Sequence, residues 1–269
     1  MLKIERKPQP WPFLFGTLIW TWTFFILAGC TGQGWLQFPT IILTALGALG
    51  PMITGVVLIS MGCWDTNLDR SARAFLKRSF NPRTLSLRWF FLIILFILVL
   101  SLIPLLLQPS VIAREGLFKG GTLLFIIIGF FIGALEEVGW RGYGQEALQR
   151  QLPVLLAALV IGVFWALWHL PLFFLAGSYQ ASLGIGTPAF WGFNGAIVLG
   201  SPLYAWFYNA SGRVVLVPLL FHGLGNLAGE LFTDSPPGLE IIVKALVVLV
   251  VISLSWGWMK IKLPGPGPF

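Results

Sequence analysis

The chain has 269 residues, of which 57% are hydrophobic and only 10% charged, whereas a typical soluble domain carries about 25% charged residues. Too few polar side chains remain to cover a water-facing surface, which excludes a soluble protein and makes lipid the solvent. The formal charge of +7 would suit nucleic acid, but the basic residues fall between hydrophobic runs, where they orient spans in a bilayer, and that excludes nucleic acid as the partner.

A spanning helix needs roughly 20 apolar residues. Runs near 12–30, 38–61, 89–107, 120–148, 153–175, 191–209, 213–233 and 239–259 predict an all-α fold, a polytopic membrane bundle of about eight transmembrane helices. Residues 1–269 read as a single membrane domain, and no internal repeat of the kind found in many transporters stands out. The first run ends Leu27-Ala28-Gly29-Cys30, which has the look of a lipoprotein cleavage box but is taken as the end of a helix. Cys30 and Cys63 then fall on opposite membrane faces, so no disulfide is expected.

With the N-terminus in the cytoplasm, the inside segments hold Lys3, Arg6, Lys7, Arg70, Arg73, Lys77, Arg78, Arg83, Arg88, Arg141, Arg150, Arg213, Lys260 and Lys262. Arg114, Lys119 and Lys244 fall outside, and the outside loops 31–37 and 176–190 carry no charge. This asymmetry predicts both termini in the cytoplasm. Residues 62–88 form the main polar cytoplasmic loop, with Asp65 and Asp69 ahead of its basic cluster, and the tail from Pro264 to Phe269 is expected to be disordered.

Ionisable groups inside hydrocarbon cost about 2.5 kcal/mol or more and mark function. Few stand within the predicted spans. Glu136 and Glu137 follow the apolar run 123–135, His169 follows Trp165 by four residues, and Asn226 follows His222 by four. Residues four apart share a helix face, so Arg141 is expected to pair with Glu137 while Glu136, about 100° away, faces a cavity. Trp165 walls the side that bears His169. Nearby Gly139, Gly142, Gly223 and Gly225 suit the close approach of membrane helices. Matching the depth of Glu136 to the histidines requires one long helix reaching about residue 148, with the cavity opening beside Arg141 and Gln145. Glu146 is expected at the cytoplasmic interface.

Glu136-Glu137-x-x-x-Arg141, an aromatic-x-x-x-His169 and His222-x-x-x-Asn226 together resemble the three-motif signature of the CPBP family. That family includes the type II CAAX prenyl endopeptidases, which are glutamate intramembrane proteases, and bacterial proteins linked to bacteriocin processing and self-immunity. The likeness covers about residues 120–233, and the usual Phe of the second motif is Trp165 here. It implies that Glu136 and His169 activate water and that His222 and Asn226 form the oxyanion hole, with Glu137, Arg141 and Trp165 in support. It also implies a peptide or prenylated protein as substrate. Amide hydrolysis needs a base, a proton donor and oxyanion donors, and these residue types supply them.

Other readings use the same residues. As a zinc site, Glu136, His169 and His222 would be three ligands with an open fourth position. That version consumes both histidines and leaves Asn226 alone for the oxyanion, so no cofactor is expected. A proton-coupled transporter would use the buried charges as a relay, and a catalytically silent immunity protein would keep the fold alone. No Gly-x-Ser-x-Gly elbow is present, and Asp65, Asp69 and Asp234 all lie in predicted loops.

Overall fold

Apolar runs can satisfy their backbone polar groups in lipid only as helices or closed barrels, and the elements among the described residues are helical. The computed structural model describes residues 8–62, 71–115, 117, 129–234 and 237–263. Lys3, Arg6, Lys7, Cys63, Asp65, Asp69, Arg70, Lys119, the start of the 120–148 run and the tail after Leu263 lie outside the described residues.

Helix α1 (Pro10–Cys30) starts on a proline, whose missing N–H costs nothing in a first turn. The second run breaks at Pro51 into α2 (Thr40–Ala48) and α3 (Gly50–Ser60), which meet at 53°, because proline cannot donate to the helical ladder. Next come α4 (Ala72–Ser79), capped by the Ser71 hydroxyl, α5 (Leu87–Leu106) and the short α6 (Pro109–Glu115). A π turn at Gly129–Gly133 leads into α7 (Ala134–Gly139), and a second π turn spans Trp140–Gln145. Helix α8 (Val154–His169) tightens into a 3₁₀ turn at Leu170–Phe174, where Pro171 stands. After α9 (Tyr179–Leu183), the helices α10 (Pro188–Ala210), α11 (Leu216–Leu231) and α12 (Pro237–Met259) complete the bundle.

The chain is a multi-pass integral membrane helical protein, but the expected eight spans are corrected. Among the described residues four helices are long and apolar enough to cross: Pro10–Cys30, Leu87–Leu106, Val154–Phe174 and Gly238–Met259. The bent α2–α3 pair makes a fifth if counted as one span. The other three runs fall short for separate reasons. The described part of 120–148 is interrupted by π turns and carries Glu136, Glu137, Arg141 and Glu146. Helix α11 has only 16 residues, and the apolar character of α10 is diluted by Asn194, Ser201, Asn209 and its glycines.

The helix expected through residue 148 runs on to Leu148, with two π turns within it. It is threaded through the centre, where glycines admit its neighbours: Gly142 receives the Phe75 ring and Gly144 the Phe13 ring. Near its end Glu146 is fully buried by protein. It accepts from Arg213 Nη1 at 2.6 Å, Arg150 Nη2 at 3.1 Å and the Tyr208 hydroxyl at 3.2 Å. Three donors replace the water it was expected to need. The same end of the bundle is closed by Arg78, which donates to the Arg213 carbonyl at 3.4 Å, and by Leu263, whose N–H reaches Gln149 O at 2.8 Å.

Gly139 sits directly on Pro51, and a β-carbon there would collide with the Pro51 carbonyl group. Gly139→Ala should therefore destabilise the protein by about 1–3 kcal/mol, the usual cost of overpacking. Thermal unfolding in detergent checks this, and an unchanged midpoint contradicts the packing of α3 on α7.

Candidate active site

Helices α7, α8 and α11 converge because glycine lets two of them touch. Gly133 closes the first π turn; a β-carbon on it would stand 2.6 Å from Asn226 Nδ2 and 3.6 Å from His222 Nε2. From the other side, a β-carbon on Gly223 would stand 2.8 Å from Phe130 O and 3.3 Å from Ala134 Cβ. The backbone ahead of the two glutamates thus lies against the His222–Asn226 face of α11. Such π turns cluster at functional sites, where one inserted residue re-aims the side chains that follow.

Glu137 is fully buried and shared. Its Oε2 accepts from Arg141 Nε at 2.9 Å, and its Oε1 lies 3.1 Å from His222 Nδ1. Arg141 Nη1 donates to Ser201 Oγ at 3.2 Å, and Ser201 in turn donates to Ala158 O at 2.7 Å. The guanidinium also lies over the rings of Trp165 and Tyr204, 5.6 and 5.1 Å from their centroids, a placement favourable for a desolvated cation.

Trp165 ties in the remaining groups. Its indole N–H donates to Glu136 Oε2 at 2.9 Å, its carbonyl lies 2.8 Å from His169 Nδ1, and its ring centroid is 5.3 Å from that of His222. Carbonyl oxygens only accept, so His169 carries its proton on Nδ1 and presents the Nε2 lone pair. The Glu137 carboxylate, already facing Arg141, likewise accepts from His222, so Nδ1 of that ring is protonated too.

All seven residues anticipated from the sequence therefore meet in one network or beside it. Two details differ from expectation. Glu137 binds His222 as well as Arg141, and Glu136 is held by Trp165 rather than left free. Their adjacency in sequence hid this, because helical phase alone says nothing about partners on other helices. Tyr204, Ser201 and Gly133 were missed: α10 carries no motif, and a lone serine or glycine in an apolar run gives no signal.

A cavity of about 340 Å³ adjoins the network, with Trp165, Tyr204, His222 and Asn226 on its wall. Glu136 and His169 are not on that wall. The cavity extends toward Thr233 and Asp234, the end of α11 opposite Arg213. It was expected beside Arg141 and Gln145, but both are fully buried by α10 and their own hydrogen-bond chain. Among the described residues no three His, Cys, Asp or Glu side chains lie close enough together to hold a metal ion.

Comparison with known proteins points to the same stretch of the chain. The profile of the family described as type II CAAX prenyl endopeptidase Rce1-like matches residues 118–228, which hold every residue of the network. The chain is also 27% identical over 223 residues to a protein named CAAX prenyl protease 2 from Methanococcus maripaludis, covering 76% of this chain and 79% of that one.

The two adjacent carboxylates should respond differently to neutralisation. Glu137→Gln leaves the buried Arg141 and His222 facing an amide, and removing one partner of a buried ion pair costs about 3–5 kcal/mol. Glu136→Gln keeps an oxygen for the Trp165 indole, so its effect on stability should stay within about 1 kcal/mol. Thermal midpoints of the two variants in the same detergent decide the point; equal losses contradict the assignment of partners.

Proposed function

We propose, from the premise that the chain belongs to the Rce1-like family of type II CAAX prenyl endopeptidases, that it is an intramembrane endopeptidase. It hydrolyses a peptide bond with water activated by Glu136 and His169, while His222 and Asn226 stabilise the oxyanion. The observation that carries this reading is the Glu137 bridge, which turns His222 toward Asn226 and the cavity.

The charges make chemical sense on this reading. With Nδ1–H given to Glu137, His222 donates from Nε2 only as an imidazolium. Glu137, between Arg141 and His222, matches the buried cationic groups that surround it. His169 is the opposite case: neutral, with a lone pair on Nε2. A water between His169 and Glu136 loses its proton to that pair of bases as its oxygen attacks the amide carbon. The carbonyl oxygen takes up the negative charge against His222 Nε2–H and the Asn226 amide. Collapse of the tetrahedral intermediate breaks the C–N bond, and the proton taken from water passes to the leaving amine.

The substrate proposed is a membrane-associated peptide, in the first place a prenylated tail, following the name of the archaeal relative. Orientation follows from charge. Arg78, Arg150 and Arg213 gather at one end of the bundle, and Gln9, ahead of α1, reaches the same region through the Tyr143 hydroxyl at 3.4 Å. By the positive-inside rule that end, with both termini, is cytoplasmic. The mechanism is proposed without a metal, since an amide such as Asn226 is a poor zinc ligand and a good oxyanion donor.

Cleavage of a farnesylated peptide by purified protein tests the reading. Glu136→Gln should abolish turnover with the fold intact. Asn226→Ala should lower kcat by about 10²–10³, the loss seen for one oxyanion donor, with KM little changed because that bond forms mainly in the transition state. Chelators should leave the wild-type rate unaltered. Full turnover by Glu136→Gln overturns the role given to that residue, and activity lost on chelation and restored by zinc overturns the metal-free mechanism.

A further inference from the structure

Lys244, counted with the outer side by charge bias, lies within the Gly238–Met259 span. Its side chain passes Gly200, whose missing side chain makes room for it: a β-carbon there would stand 3.8 Å from Lys244 Cδ. It lines the same cavity as His222 and Asn226. An ammonium in a membrane helix is costly enough to mark a functional group by default. None of the ion pairs among the described residues uses it.

We propose that Lys244 is the anion-binding group of this cavity and takes the free C-terminal carboxylate of the substrate tail. The proposal rests on the peptidase reading and names how that site measures its substrate. Ile97, Leu100, Leu203, Phe221 and Phe232 give the same cavity a largely apolar lining. The volume of about 340 Å³ is at the small end for ligand pockets, roughly 300–1,000 Å³. It suits a few aliphatic residues, not a long strand. A tail anchored by its carboxylate at Lys244, with its amide carbonyl at His222 and Asn226, would be cut a fixed short distance from its end.

Asp234 and Glu240 also face this cavity, toward its outer end. Glu240 precedes Lys244 by four residues, the favourable order for a Glu–Lys pair on a helix. Both carboxylates also discourage a second negative charge on the tail, so the anion favoured is a single terminal carboxylate.

The test measures binding of an N-acetylated tripeptide, two aliphatic residues and a serine, as free acid and as C-terminal amide, to the purified full chain in detergent. Wild type should bind the acid about tenfold more tightly, as expected for one charge-assisted hydrogen bond. Lys244→Met should bind both forms with the affinity of the amide, and Lys244→Arg should keep the preference. Added phosphatidylglycerol should not displace the acid. Equal binding of acid and amide by wild type, a preference that survives Lys244→Met, or displacement by phosphatidylglycerol through Lys244 overturns the proposal. In a parallel arm, kcat/KM for farnesylated peptides should show the same acid preference, lost in Lys244→Met, with amide turnover alike in both proteins. If wild type cleaves neither peptide, the peptidase reading falls, and the binding arm still decides the role of Lys244.

Discussion

A carboxylate cut off from water must find partners that neutralise it and also saturate its lone pairs, and Glu137 meets both needs with Arg141 on one oxygen and His222 on the other. Because the partners come from different helices, satisfying one charge fixes the relative placement of several elements. Arg141 extends the constraint to Ser201 on α10 and to the Trp165 ring on α8. Trp165 then holds Glu136 and His169. Had the carboxylate been solvated, none of these contacts would be obligatory, and the helices could slide past one another at little cost.

The same constraint sorts two residues of identical type into different tasks. The Nδ1 of His169 lies against a neutral carbonyl, whereas that of His222 lies against a carboxylate. Two glutamates side by side are separated in the same way. One is consumed in assembling the site, and the other is presented by an indole. Reactivity here depends on which groups remain unspent once the buried charges have been matched, and that is decided by partners on other helices.

Those partners are what the sequence renders least well. The helical class, the membrane environment and the short list of costly buried groups were all legible, because each depends on residue type and on spacing within one element. The number of crossing helices was not: an apolar average over the 120–148 run conceals two π turns and four charges, and α11 is too short to span alone. The partners of Glu146 were hidden for a similar reason. A lone carboxylate near a run's end suggests water, but Arg213, sixty-seven residues on, replaces it. Tyr204 and Lys244 became meaningful only when α10 and α12 were seen to wall the cavity.

The bond between Glu137 and His222 is the claim on which the rest depends, and the chain's two histidines make it directly observable. Nitrogen-15 NMR of histidine-labelled protein, prepared without a polyhistidine tag, reports the protonation of each ring nitrogen. The account predicts one neutral ring protonated on Nδ1, one ring protonated on both nitrogens, and a change confined to the second ring in Glu137→Gln. Two neutral rings in the common Nε2–H form, both indifferent to Glu137→Gln, would contradict it.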